Sequence, residues 1–188
     1  MYSTTLNEQY QLAEVASCIT NLLALDKVWT NHLETSNELH ESDVLVLQEL
    51  TNNMNQLLTE SKHQFQQLKE LVKRHPELFE QIHEKLISDN GMTKEQKENW
   101  KFFVQRNGGI VTYITEAMDT IVQQIPREQE LMQSKIQTKI KNGGFVSGDF
   151  SFGCGLYAGL ALVAAATGNV ILAAGAATAA VGACAHDV

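Results

Sequence analysis

Covalent and metal chemistry begins from cysteine, histidine and activated hydroxyls, and this chain offers them sparingly. Its three cysteines, Cys18, Cys154 and Cys184, are odd in number and have no spacing that makes a zinc site. One reading leaves all three as buried thiols. The other pairs Cys154 with Cys184, which bracket an uncharged stretch; if that stretch folds back on itself its ends meet and a disulfide can form, given an oxidising compartment. Six histidines are scattered as His32, His40, His63, His75, His83 and His186. His83-Glu84 opens like a zincin helix, but Ile87 stands where the second histidine belongs. No serine sits in a GxSxG elbow, and no glycine-rich loop ends in Lys-Ser or Lys-Thr. The sequence therefore reads as no enzyme, with no metal site and no cofactor.

What remains is the chemistry of partitioning. From Cys154 to Ala185 there is no charged side chain, and the stretch is built almost wholly of Ala, Gly, Val and Leu. Every Lys and Arg lies before Gly144. A globular domain rarely gathers its apolar residues into one terminal block, because each element needs its own share of the core. The block passes the length test for a bilayer, which takes ~20 apolar residues, and Thr167-Gly168-Asn169 divides it into two arms. As helices the arms Leu156 to Ala166 and Val170 to Ala183 span roughly 16 and 21 Å, each short of the ~30 Å hydrocarbon core. Either the arms form a helical hairpin or they straighten through Gly168 into one span. Leu156, Tyr157, Leu160, Leu162, Val163, Val170, Ile171, Leu172 and Val181 are the candidate membrane-inserting residues, and small residues such as Gly159, Ala161, Ala173 and Ala176 permit close helix contact in lipid. The plain alternative makes the block a buried hairpin at the centre of an α-helical domain. Its glycines, which weaken helices, speak against that alternative.

The elements before it read as helices. The chain has 188 residues, a formal net charge of −8 and two prolines, which suits one domain or a domain with an appendage, argues against nucleic acid as a partner, and favours long helices. Val15, Ile19, Leu22, Trp29 and Leu33 are helically spaced, with Asp26 interrupting. Val44, Leu47, Thr51, Met54, Leu58, Ser61, Phe65, Leu68 and Val72 alternate steps of three and four, a heptad seam with Thr51 and Ser61 as weak points. These two segments predict an antiparallel hairpin. Pro76 starts a third helix that Asn90-Gly91 ends; Thr93 and Gln96 form a capping box for a fourth, which Asn107-Gly108-Gly109 stops. A fifth runs from Ile110 to Ile125, and Pro126 opens a further polar helix that fades at Asn142-Gly143-Gly144. The expected fold is all-α: an elongated antiparallel bundle over residues 1–144, a soluble carrier, followed by an apolar Ala/Gly-rich helical hairpin within 145–188. Gly143-Gly144 fits a helix cap or the end of a double-glycine leader, although Lys141 stands where such a leader wants an apolar residue. The segment MYSTTLNEQYQLAEV has neither the basic nor the apolar region of a secretory signal peptide.

Cys154-Gly155-Leu156-Tyr157-Ala158, an Ala/Val-rich arm, Asn169-Val170 and a second Ala-rich arm together resemble the toxin segment of the sporulation-delaying protein C family. The stretch from His75-Pro76-Glu77-Leu78-Phe79 to Leu86-Ile87-Ser88-Asp89 resembles that family's pro-region. The resemblance covers about a third of the chain. It implies a secreted antibacterial peptide, cut from the C-terminal part of a helical precursor, that enters a target membrane and collapses the proton gradient. It also implies target-cell lipid, a processing protease and a membrane immunity protein as partners, with cleavage between Gly143-Gly144 and Gly153. The family's second cysteine follows shortly after the first; Leu160 stands at that place here, which leaves only the long-range pairing with Cys184. Two other function classes stay open on the residues: an intact α-helical pore-forming protein, and a non-toxic interaction module anchored by its tail.

Overall fold

The first helical segment and the heptad seam pair as an antiparallel hairpin. In the computed structural model, which describes residues 4–35, 37–89 and 91–185, α1 (Leu6–Glu34) lies against α2 (Glu41–Arg74). Leu12, Val15, Ile19, Leu22, Trp29 and Leu33 of α1 are fully buried, as are Leu47, Met54, Leu58, Phe65 and Leu68 of α2. The polar residues in the α2 seam are satisfied by α1. The Trp29 indole donates to Thr51 Oγ1 at 2.8 Å, and the Cys18 thiol donates to Ser61 Oγ at 2.9 Å. Polar groups buried with a partner cost little and fix the register. At the open end Glu8 is buried and accepts from the Thr5 N–H, from Arg74 Nη1 and from His75 Nε2, at 2.9, 3.0 and 2.9 Å. Those donors hold its carboxyl down at about 2, the Thr5 amide first and His75 next.

Helix α3 (Pro76–Asp89) and helix α4 (Lys94–Arg106) turn the chain back, with the Thr93–Gln96 capping box in place. Phe79, Leu86, Ile87, Trp100, Phe103 and Val104 face inward. His83 joins them, accepting the Trp100 indole N–H at 2.9 Å, and burial lowers its pKa to about 4. Asn90 and His186 lie outside the described residues.

Helix α5 (Ile110–Asn142) runs without a break where two helices were expected. Pro126 sits inside it. Proline removes the hydrogen bond to residue 122 but not the packing: Ile121, Ile125, Glu128, Met132, Ile136 and Lys139 continue one buried stripe across it. Helix α5 returns along α2, tied by Lys69–Asp119 at 2.7 Å and by the Gln129 amide on Asn55 O and Thr59 Oγ1.

Two further helices close the molecule, α6 (Gly153–Ala166) and α7 (Val170–Cys184). Helix α6 lies among α1, α3 and α5, and α7 lies outside it, against α6 and α4. The described residues form seven helices and no strand, an all-α bundle as expected.

Candidate functional site

The uncharged block folds as the expected hairpin. Gly168, with φ at 82°, makes a turn an L side chain adopts only with strain; Asn169 N–H bonds to Ala164 O, and Asn169 Oδ1 caps α7 by accepting the Leu172 N–H at 3.1 Å. The far ends are joined by a disulfide between Cys154 and Cys184, with Cα atoms 4.8 Å apart. The bridged reading holds for this pair, and Cys18 alone is a free thiol, its pKa raised by burial. The Tyr113 hydroxyl lies 2.9 Å from Cys154 Sγ.

The two arms sit in different surroundings. Leu156, Leu160, Leu162 and Val163 are all buried, and Tyr157 is half-buried. A Cβ at Gly159 would lie 3.2 Å from Met118 Cε of α5, 3.6 Å from Leu68 of α2 and 3.7 Å from Ile19 of α1; one at Gly155 would meet Ile121 and Ala117 at 3.2 and 3.3 Å. These glycines let three long helices close on α6. The argument that a core helix has no reason to carry glycine therefore fails for this arm.

On α7 it does not fail. Gly175 and Gly182 are exposed, with nothing within 4 Å of an added Cβ. They share the outer face with Thr178, Val170, exposed at 65 %, and Ile171, exposed at 88 %. Leu172 and Val181 are half-buried, and Ala173, Ala176, Ala177 and Ala180 pack inward. An apolar groove of ≈ 230 Å³ runs beside the hairpin turn, between Ile82 and Leu86 of α3 and Val170 and Ala173 of α7. The outer face of α7 thus meets solvent with no charge along its length. No helix among the described residues is long and apolar enough to cross a membrane; at 14 and 15 residues, the arms measure about 21 and 22 Å.

The connection from α5 to α6 contains the expected cleavage region. Gly143 ends α5, donating its N–H to Lys139 O, and Gly144 donates to Asn37 O at 3.2 Å. Gly144, Phe145 (75 % exposed) and Ser147 are open to solvent, as are Asp149 and Ser151 farther along. Gly148 is buried and donates to Glu34 Oε1 at 3.0 Å, Phe150 and Phe152 stack at 4.9 Å, and Gly153 already belongs to the first turn of α6.

Sequence reasoning did not find the group that fastens this segment. Asp26 occupies a core place in the α1 heptad, noticed only as an interruption. It accepts the Phe150 N–H, and burial, followed by the charge of Asp149, pushes its carboxyl up to about 7. Tyr157 is raised by burial and then by Asp26 and Asp149. Glu128, exposed by only 1 %, accepts the Ser151 hydroxyl at 2.8 Å. Among the described residues no three His, Cys, Asp or Glu side chains stand together as metal ligands. Comparison with protein-family models, curated proteins and solved structures finds no match to this chain.

Proposed function

We propose that this chain is the precursor of a membrane-active antibacterial peptide, related to the sporulation-delaying protein C family, whose α6–α7 hairpin inserts into target membranes and dissipates the proton gradient. In this reading helices α1 to α5 cover α6 and leave only the outer face of α7 to water, and a protease cuts in the exposed 144–147 stretch. The product is secreted or bound to the target membrane, and the producing cell carries an immunity protein. The observation that carries the reading is the outer face of α7. Every longer helix of the bundle shows charge to solvent, whereas α7 shows Ile171, Gly175, Thr178 and Gly182. Such a face gains nothing from water and suits hydrocarbon.

A second reading, an intact pore-forming protein, is favoured by the way α6 is held. Because α1, α3 and α5 all pack on it, cleavage by itself leaves α6 enclosed. In that reading the long helices open on the membrane and stay attached.

Gly175→Lys tests the insertion common to both. The site is open to solvent, so the bundle accepts lysine, with a helix-propensity gain of up to about 1 kcal/mol. In a bilayer the same charge opposes insertion by ~2.5–3.5 kcal/mol. We expect an undiminished melting temperature together with loss of depolarisation of Gram-positive cells by the processed product. Depolarisation equal to that of the parent would remove α7 as the inserting element. Comparing cut and uncut chain in the same assay separates the two readings.

A further inference from the structure

The two sulfurs of the Cys154–Cys184 bridge sit in unlike surroundings. Cys154 stands in the first turn of α6, where no N-cap side chain covers the helix start, and Cys184 is the last residue of α7. A helix start carries partial positive charge and a helix end partial negative charge. The Tyr113 hydroxyl lies 2.9 Å from Cys154 Sγ, and because a bridged sulfur carries no hydrogen, the hydroxyl is the donor. Both features favour a thiolate on Cys154 over one on Cys184.

The approaches to the two sulfurs differ in the same sense. Cys184 lines a cavity of ≈ 270 Å³ walled by Trp100, Phe102, Phe103 and Arg106 of α4. Arg106 is exposed, and no carboxylate is ion-paired with it among the described residues. Cys154 lines two other cavities, whose charged walls are acidic: Glu116 in one, Asp26 and Asp149 in the other. Lys135 holds the Asp149 carbonyl oxygen at 3.2 Å but is not among those walls. An incoming thiolate is drawn to the guanidinium side and repelled on the carboxylate sides. Cys184 also ends a helix that rests chiefly on α6 and the edge of α4, and helix ends fray.

We propose that the bridge is a reduction site for a dithiol, attacked at Cys184 Sγ with Cys154 Sγ as the leaving atom, so that reduction releases α7 while α6 stays packed. One thiolate of the dithiol bonds to Cys184 Sγ. The Cys154–Cys184 bond breaks, and its electron pair leaves on Cys154 Sγ, which keeps the Tyr113 hydrogen bond and then takes a proton from solvent. The second thiol, deprotonated, attacks its neighbour's sulfur in the mixed disulfide. That step expels Cys184 as a thiolate, which is protonated in turn. The dithiol ends as a disulfide and the chain as two thiols. The chemistry does not rest on the membrane reading, and none of its readouts involves lipid.

The full oxidised chain, treated with glutathione, quenched in acid at low conversion and alkylated, shows which sulfur was attacked. We expect peptide mass mapping to find glutathione on Cys184 and the alkyl group on Cys154. Tyr113→Phe keeps the ring that packs edge-on against Phe103 but loses the donor, so dithiothreitol should reduce it about two- to tenfold more slowly than the parent. The direction is decisive, because a merely loosened structure would be reduced faster. Arg106→Gln should slow glutathione about two- to fivefold at low salt and leave cysteamine, whose ammonium offsets its thiolate, unchanged. The proposal is overturned by glutathione found equally or mainly on Cys154, by reduction of Tyr113→Phe as fast as the parent or faster, by an unchanged glutathione rate in Arg106→Gln, or by reduction of the parent no faster than its global unfolding.

Discussion

Removing the bridge with Cys154→Ala and Cys184→Ala together tests how much of the hairpin is held by its covalent closure. The two cysteines are separated by 30 positions. In the chain-entropy treatment a closed loop of that size restricts the unfolded chain by roughly 3–4 kcal/mol. For a chain of this length each 1 kcal/mol moves the melting temperature by about 2–4 °C, so the double variant should melt about 6–16 °C lower. The loss should not be uniform. Helix α6 keeps its contacts with α1, α3 and α5, whereas α7 rests chiefly on α6 and on the edge of α4, so amide protection in α7 should fall before that in α6. Thiol titration of the unfolded parent provides the control, with one free thiol before reduction, Cys18, and three after. A melting shift under about 2 °C, with α7 as protected as before, would refute the reasoning, because it would mean that packing alone holds α7 and the loop closure contributes nothing. Three free thiols in protein prepared without reductant would refute the bridge itself.

Two further outcomes concern helices α1 and α2. Leu58→Asp places an unpaired carboxylate at a fully buried seam position; chemical denaturation should show a loss of several kcal/mol, about 3 or more, and an unchanged midpoint would remove this seam from the core. Glu8, lowered from 4.5 to about 2, contributes stability that is complete above pH 4.5 and is lost as pH falls toward 2. In Glu8→Gln the melting temperature should be lower than the parent's at pH 7 and the two should converge by pH 2, whereas parallel pH profiles would show that the Thr5, Arg74 and His75 donors do not stabilise the ionised form.

The helices were legible because their signals are local. Steps of three and four, a capping box at Thr93 and the Asn107-Gly108-Gly109 stop each need only a few neighbouring residues. Pro126 misled for the same reason: locally it breaks a helix, and only the continuing stripe from Ile121 to Lys139, packed on other elements, overrides it. The bridge between Cys154 and Cys184 was one of two readings the sequence left open, conditional on the block between them folding back on itself, and the hairpin meets that condition. The Asp26 junction was not legible, since its carboxyl is raised first by burial under distant elements and then by Asp149, and nothing in a periodic pattern says which interruption will find a pocket and which will find water. Glycine in α6 was misjudged on propensity alone, because its use at positions 155 and 159 lies in the closeness of Ile121 and Met118.

The disulfide also decides between the two membrane geometries that the bare sequence left open. A chain tied at Cys154 and Cys184 cannot straighten through Gly168, so the bridged form can enter a bilayer only as a hairpin. Its arms, about 22 Å at most, fall short of a ~30 Å core, and the shortfall must be met by local thinning or by hairpins associating. Opening the bridge frees the turn and allows one long apolar helix. Reduction therefore pulls in two directions: it loosens α7 on the folded bundle, yet it alone permits a full span. Under the proposed function, depolarisation with the bridge intact that rises more steeply than the first power of concentration marks associating hairpins, and a linear rise marks single hairpins in a thinned bilayer. Depolarisation that appears only after reduction, and rises linearly, would instead identify the single extended helix as the active form and the bridge as the element that restrains it.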